Sequence, residues 1–566
     1  MTNGGGMSQV RLRLGSVAQV CNGIALGLLT AATGLGAWGL IWATRTPLPG
    51  LSNPYWRWES VSTSRITSWT VVAAVVMLIA VAMAVRSASW RLLPAIVVPV
   101  VGLLGLVQLV GHDFFRFYSV IITSFNPSQQ LPATMATVLL AGAGGVAALA
   151  GVAARIGGSR ALRSGAVVGL VLAIVAAVTV IRNAKPDLDS STAAAVPVPP
   201  VPAALSEGQI FTLRSDFTRP DDSLAFGVGY TVRAAGPGFV VREPRGVRAY
   251  DSSGAERWHY IHSGTPELRV QEFRVFDGGE TVVLLLTTEV PHSGWVIGLD
   301  AMTGQRLWSS GDQDVVSAMA EYRHAATDDS PIHLAAHHRE EIVRFDSRTG
   351  QRMWAVDVPE DSQPMDTGAG VGYLTGTMHN GRATVRYVSI DPTSGSVQRD
   401  FVVSEYALSD IAHRDQFPDT YVRGLEHAGR NGFAFRDRVN RAIYVNGVTG
   451  VATEFDGEVH ASDERSDDFI VEKQDARGVP YGHELRSAPD GRVRCTFGSE
   501  PMYNSAWLAD QILSGSGDEP ARLYSRAECR PLPTTVSPVN VEYVVAPGVL
   551  LAVNDSRNGL VIEGYR

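Results

Sequence analysis

GLDAMTGQRLW at residues 298–308 is followed by RFDSRTGQRMW at 344–354, two near-copies of one phrase in a single chain. Weaker copies read AYDSSGAERW, IDPTSGSVQ, VNGVTGVAT, PDGRVR and NDSRNGLVI. Their leading residues are Asp251, Asp300, Asp346, Asp391, Asn446, Asp490 and Asp555, at successive steps of 49, 46, 45, 55, 44 and 65 residues. A strand-rich unit repeating every ~40–50 residues predicts the blade of a β-propeller.

The phrase has a local chemistry. Apolar or alternating runs stand ahead of it, such as TVVLLLTTEV (281–290) and GWVIGLD (294–300), and read as strands. Asp-x-x-(Thr/Ser)-Gly then reads as a hairpin turn. The Asp side chain accepts hydrogen bonds from backbone N–H groups just ahead of it. Glycine supplies the positive φ, at Gly254, Gly304, Gly350, Gly395, Gly450 and Gly559. Trp258, Trp308 and Trp354 end the strand after the turn, where a large flat ring fills the seam between blades. The Asp residues are therefore expected as turn formers, not general bases, and the Trp residues as blade packing, not stacking platforms.

Residues 207–566 are expected to form seven or eight blades, with a strand near 208–214 completing the last one and removing exposed sheet edges. The 65-residue step reads as an insertion at about 499–540. Cys495 lies before it and Cys529 near its end, and a disulfide between them would pin the insertion onto its blade.

The N-terminal half differs in kind. Five apolar stretches, near 20–43, 68–85, 92–111, 132–154 and 165–181, are read as membrane spans. Arginine is dense before the first span (Arg11, Arg13), in the second connection (Arg86, Arg91) and in the fourth (Arg155, Arg160, Arg163). The positive-inside rule puts residues 1–19 in the cytoplasm as a short tail and the C-terminal half outside. The expected localisation is the plasma membrane, multi-pass, with an extracytoplasmic propeller. An oxidising compartment also favours the Cys495–Cys529 bridge. Residues 182–206, with Pro-Val-Pro-Pro-Val-Pro, read as a stiff linker that stands the outer domain off the membrane.

Small residues recur every fourth position on three spans: Gly23, Gly27 and Ala31; Ala143, Ala147 and Gly151; Gly165, Gly169, Ala173 and Ala177. Such faces bring helices close together, against a partner chain or among the five spans themselves, with the second the stronger expectation. No ionisable residue falls at a span's centre, which argues against a pump or proton-coupled transporter. Gln108 is the conspicuous polar residue in a span, and His112 and Asp113 mark an outer end. The outer loops NPYWRWE (53–59) and FFRFYSVIITSF (114–125) are aromatic, as headgroup-level anchors are.

Other chemistry is sparse. The net charge of −8 gives no reason to expect nucleic acid. His337 and His338 are adjacent and would face opposite sides of a strand; His259 and His262 are three apart and also awkward. No metal site is expected. Asp221-Asp222, Asp328-Asp329 and Asp467-Asp468 read as solvated loops. The long loops 312–330 and 404–427 are the candidate binding loops.

LDAMTGQRLW and FDSRTGQRMW resemble the repeat of the pyrroloquinoline-quinone-like propeller superfamily. That superfamily holds quinoprotein dehydrogenases and non-enzymatic propellers of the outer-membrane assembly-factor type. The resemblance covers about 360 residues and leaves the membrane half outside it; with the five spans read above, the expected fold is a membrane α-helical bundle followed by an all-β seven- or eight-bladed propeller. The resemblance implies a binding or scaffold role in cell-envelope assembly, or in envelope lipid or glycan transport, with the membrane and envelope components as partners. The alternative is a dehydrogenase using pyrroloquinoline quinone and passing electrons to membrane quinone near His112 and Asp113. The chain has little length beyond its blades for a quinone pocket and lacks an adjacent Cys-Cys pair, so no cofactor and no enzymatic activity are the expectation.

Overall fold

The computed structural model describes residues 5–43, 63–90, 92–111, 118, 129–152, 159–183, 188–215, 231–263, 269–287, 294–321, 333–336, 341–359, 362–367, 370–410, 422–474, 479–487, 489–498, 502, 505–515, 520–534, 536, 541–556 and 559–566. His112, Asp113, His337, His338, Asp221, Asp222, Asp328, Asp329 and the aromatic loop 53–59 lie outside them. The chain separates into a helical unit, mainly Met1–Leu188, and an all-β unit, mainly Asp189–Arg566.

The helical unit contains α1 (Gly5–Ile41), α2 (Thr63–Arg86), α3 (Leu93–Gly111), α4 (Gln130–Gly151) and α5 (Ser159–Asn183). Four of them, in α1, α2, α4 and α5, are long and apolar enough to cross a membrane; α3 carries a shorter apolar stretch, Leu93–Val107. Their shared core includes Ala25, Leu29, Ala32, Ala74, Met77, Leu140 and Ala148. Small residues set the approach of α1 and α5. A Cβ on Gly23 would meet the Leu162 carbonyl, one on Gly27 the Ala166 carbonyl, one on Gly165 the Val20 carbonyl and one on Gly169 the Ile24 carbonyl. Two of the three small-residue faces thus pack on each other within the chain. On α4 the buried small face is Ala141, Gly144, Gly145, Ala148 and Gly151, while Ala143 is exposed. Asn22 bridges α1 to the end of α4, its amide donating to the Gly151 carbonyl at 3.0 Å.

The all-β unit is built of eight antiparallel sheets among the described residues. In chain order, sheet 1 contains Val232–Ala235, Gly238–Glu243, Gly246–Asp251 and Glu256–His262; sheet 2 spans Arg269–Ser310; sheet 3 has His333–Ala336, Glu341–Phe345 and Arg352–Asp357. Sheet 4 spans Gln363–Ala407, sheet 5 Val422–Phe455, sheet 6 Glu458–Thr496 and sheet 7 Ala506–Leu532. Sheet 8 joins Glu542–Ala546, Val549–Ser556 and Gly559–Tyr565 to Gln209–Ser215, which pairs antiparallel with Gly559–Tyr565. That last pairing joins the two ends of the unit and covers an edge that would otherwise template aggregation.

Sheets 2 to 7 are meanders, so their consecutive strands pair with their chain neighbours. First strands of neighbouring sheets lie side by side: Val232–Ala235 is against both Arg269–Phe276 and Glu542–Ala546, and Val422–His427 is against Glu458–Ser462. Among the described residues sheet 3 has three strands, and α6 (Gln313–Glu321) lies beside it. Val315, Val316, Ala318 and Met319 of α6 pack with Phe276, Leu285 and Val296 of sheet 2 and with Val343 and Phe345 of sheet 3. The described part of the 312–330 stretch is therefore core, not an open binding loop.

Two further expectations are corrected. Residues 499–540 hold sheet 7, a complete unit of the repeat whose turn lacks the Asp and Gly that would mark it. The Pro-rich segment does not stand free of the β unit. Leu188–Ser191 is a fifth strand on sheet 1, and the chain then runs over the sheets. The Ala193 N–H donates to Thr303, the Pro200 carbonyl accepts from Gly548 at 2.9 Å, and the Pro202 and Ala203 carbonyls accept from Ala509 and Asp510. A polyproline strand makes no internal hydrogen bonds, so its carbonyls are free to accept from the sheet turns.

Candidate functional site

The repeated phrase forms one five-residue turn. In Asp300–Gly304 the Gly304 N–H donates to the Asp300 carbonyl at 2.8 Å, and the Asp300 N–H donates to Gln305 at 2.9 Å. The Asp300 Oδ1 accepts from the backbone of Met302 and Thr303 at 3.0 and 2.9 Å. Asp346, Asp391 and Asn446 repeat this with their own i+2 and i+3 N–H groups. Asp251 closes a turn one residue shorter, accepting from Ser253 and Ala255. The glycines at the turn ends have φ between +68° and +81°, from Gly350 to Gly254. Asp391 shows the electrostatic result: the Ser394 N–H, then its hydroxyl and the Thr393 N–H, hold the carboxyl below its usual range. A carboxylate so committed is a turn element and a poor proton acceptor.

Asp555 and Gly559 differ. Asp555 pairs with Leu560 and Ser556 with Gly559 inside sheet 8, and Gly559 has φ +115°, so they do not form this turn. Gly491, after Asp490, has φ +68° and underlies the Tyr444 ring.

Each tryptophan reaches the turn of the next sheet. The Trp258 Nε1–H donates to the Ala301 carbonyl at 2.9 Å, Trp308 to Ser347 at 2.7 Å and Trp354 to Pro392 at 3.0 Å. Each acceptor is the residue after the turn Asp. Each ring also lies flat on the turn glycine: a Cβ there would meet Trp258 from Gly304, Trp308 from Gly350 and Trp354 from Gly395, all within 2.8 Å. Glycine is thus needed twice, for positive φ and for lack of a side chain. Phe211 of the closing strand takes the same place over Gly254, and Phe401 lies 3.5 Å from a Cβ on Gly450. Trp258 and Trp354 are buried in these seams and Trp308 is half-buried, each ring face occupied by the turn glycine of the next sheet.

The seam between sheets 6 and 7 uses other residues. Cys495, in the last strand of sheet 6, is disulfide-bonded to Cys529 of sheet 7, with Cα atoms 5.8 Å apart. The bond joins two sheets and does not pin an insertion. Beside it Arg526 donates to Asp463 at 2.6 Å and to Asp468 at 2.8 Å, and Arg494 donates to Asp468 at 2.6 Å. Asp468 is only 4% exposed, so it is no solvated loop residue. Burial pushes its carboxyl up, but Ser487, Arg526 and Arg494 outweigh that and hold it below the usual range. Asp467 accepts from the Asn431 N–H at 3.0 Å.

Among the described residues, one group has metal-ligand character: His460, Glu472 and His483 of sheet 6, whose ligand atoms all lie within 4.8 Å of one another. Glu472 and His483 are direct cross-strand partners. Burial, the largest cause in both, holds the two imidazoles below their ordinary range. Their sequence separations of 12 and 11 residues carry no familiar ligand spacing, so only strand pairing reveals them. His259, by contrast, is engaged by Glu256 at 2.7 Å and Asp189 at 3.1 Å.

Residues 230–400, spanning sheets 1 to 4, match the family model described as outer membrane protein assembly factor BamB. Among solved structures the chain is similar to BamB from Moraxella catarrhalis, with 13% identity and a TM-score of 0.38, covering 64% of this chain and all (100%) of that one. It is also similar to the computationally designed Ika8 protein (14% identity, TM-score 0.37, 65% and 100% coverage). A third is Sqt1 of Saccharomyces cerevisiae (8% identity, TM-score 0.34, 64% and 100% coverage). No curated protein matches the chain.

Proposed function

We propose that the chain is a membrane-anchored, extracytoplasmic β-propeller of eight blades that acts as a binding scaffold in envelope assembly or in envelope lipid or glycan transport. One observation carries this reading. A helical unit with four helices apolar enough to cross a membrane is followed by a repeat that matches the outer membrane assembly-factor family over residues 230–400. The turn chemistry supports it, because the repeated carboxylates and indoles are spent on holding sheets together. A propeller whose signature residues are architectural presents its loops and inner strands for recognition. In this reading α3 is a fifth span, the N-terminus is cytoplasmic, the β unit lies where disulfides persist, and no pyrroloquinoline quinone is resident.

Two experiments test it. An impermeant thiol reagent applied to intact cells is expected to label Ala255→Cys and spare Ala88→Cys, each in a Cys21→Ala background; the reverse pattern overturns the topology. Cross-linking in native membranes, followed by purification and mass spectrometry, is expected to recover envelope proteins or glycolipid with the full-length chain. Stoichiometric quinone released on denaturation would replace the scaffold reading with the dehydrogenase one.

A further inference from the structure

We propose that His460, Glu472 and His483 form a binding site for one divalent first-row transition ion of the zinc class, with three protein ligands and a fourth position open. The three side chains come from three successive strands of sheet 6, Glu458–Ser462, Asp468–Gln474 and Pro480–Ser487. Residues on adjacent strands share a face when they are in register, and Glu472 and His483 are so paired. His460 joins them through an irregularity, since the register shifts between Val459 and Ala461. A bulge of this kind re-aims one side chain.

The geometry is close to that of a metal centre. The His483 Nε2 is 3.8 Å from the Glu472 Oε2, and the His460 and His483 rings lie edge to face at 5.5 Å between centroids. Ligand atoms around an ion with bonds of about 2.0–2.2 Å sit roughly 3.3–3.5 Å apart, so rotation of these side chains closes the set. His483 is 3% exposed, and neither of its ring nitrogens has a hydrogen-bond partner among the described residues. A buried imidazole without a hydrogen bond is a costly arrangement unless it faces a ligand. Gln474 donates to Glu472 Oε1 at 3.3 Å, which leaves Oε2 turned to His483. Such an outer contact orients a ligating carboxylate. Lys473 lies near Glu484 at 3.6 Å, not in the cluster.

The donor set selects the ion. Two imidazoles and one carboxylate suit zinc and its neighbours better than calcium or magnesium, which take oxygen ligands. Glu472 and His460 are partly exposed, so the open position faces outward from the buried His483. An ion here would have one position left to take a ligand from a bound partner.

The test uses the full-length protein in detergent, stripped with a chelator, and zinc chloride competed against a chromophoric chelator. The wild type is expected to take up one zinc, and His460→Ala and Glu472→Gln are each expected to weaken it at least tenfold. Both side chains are partly exposed, so both variants should fold; their thermal unfolding without metal is to match the wild type. Zinc is expected to raise the unfolding temperature of the wild type but not of His460→Ala. No zinc uptake by the wild type, or equal affinity in the wild type and both variants, overturns the proposal. Either result leaves the scaffold reading untouched, because that reading is tested by topology and partners.

Discussion

Cys529 stands at the turn position that Gly304, Gly350 and Gly395 hold in sheets 2 to 4, and it is bonded to Cys495, which stands where sheets 1 to 3 place Trp258, Trp308 and Trp354. The Cys529 N–H donates to the Ser525 carbonyl at 2.8 Å, and the Ser525 N–H donates to Arg530, the same two bonds that close Asp346–Gly350. Cys529 has φ +56°, in the left-handed region of the turn glycines. Cys495 lies four residues after Gly491, as Trp308 lies four after Gly304. The disulfide is thus a covalent counterpart of the Trp-on-Gly latch, at a seam that has neither residue.

This substitution separates two effects. Cys529→Ser removes the bond but keeps a side chain at positive φ, and it is expected to cost about 2–4 kcal/mol. Cys529→Gly removes the same bond but relieves the backbone, so it is expected to cost about 1 kcal/mol less. Urea unfolding of the full-length protein, followed by tryptophan fluorescence, measures both. Equal losses would mean that Cys529 carries no backbone strain.

The latch predicts different costs for two glycines of similar φ. Gly350 (φ +68°) lies under the Trp308 ring, whereas a Cβ on Gly381 (φ +76°) meets nothing within 4 Å. Gly381→Ala is expected to cost about 1 kcal/mol, for the φ alone. Gly350→Ala must also displace the indole and is expected to cost about 3 kcal/mol or more. Chemical denaturation of the two variants side by side checks the difference, and similar costs would remove the close-approach argument.

Stability is expected to fall in mild acid through His427. Burial lowers its imidazole to about 4, against an ordinary value of 6.5. Neither ring nitrogen has a hydrogen-bond partner among the described residues. Between pH 6.5 and 4 the unfolded chain binds a proton that the folded chain refuses. This contribution is therefore whole above pH 6.5 and lost as pH falls, by about 3 kcal/mol at most. Comparing unfolding free energies of the wild type and His427→Phe at pH 7 and pH 5 isolates it; parallel losses in both would exclude His427 as the cause.

In the helical unit, Gly27→Leu is expected to disrupt the α1–α5 packing, because its Cβ meets the Ala166 backbone. Gly34→Leu, where a Cβ meets nothing within 4 Å, is the control. Thermal stability in detergent should drop for the first and hold for the second.

Part of this was legible along the chain. Asp-x-x-Thr-Gly names its turn because the Asx hydrogen bonds and the left-handed glycine are local, decided within five residues. The closing strand at 209–215 was legible because its apolar alternation has no partner nearby in sequence. Sheet 7 was not, because Ser525 and Cys529 make the same turn with residues that carry no turn signature. Ala143 was misplaced because a four-residue spacing cannot say which face of α4 is covered. Asp468 looked solvated because its partners, Arg526 and Arg494, lie 58 and 26 residues away.

By itself, then, the sequence determined the period, the Asp- or Asn-led turns from Asp251 to Asn446 and the apolar helices, since each follows from residues close in the chain. Only the tertiary structure decided which ring covers which glycine, that two cysteines replace that latch, and that His460, Glu472 and His483 meet. Those depend on strand register and sheet-to-sheet stacking, which set distances between residues that no local pattern links.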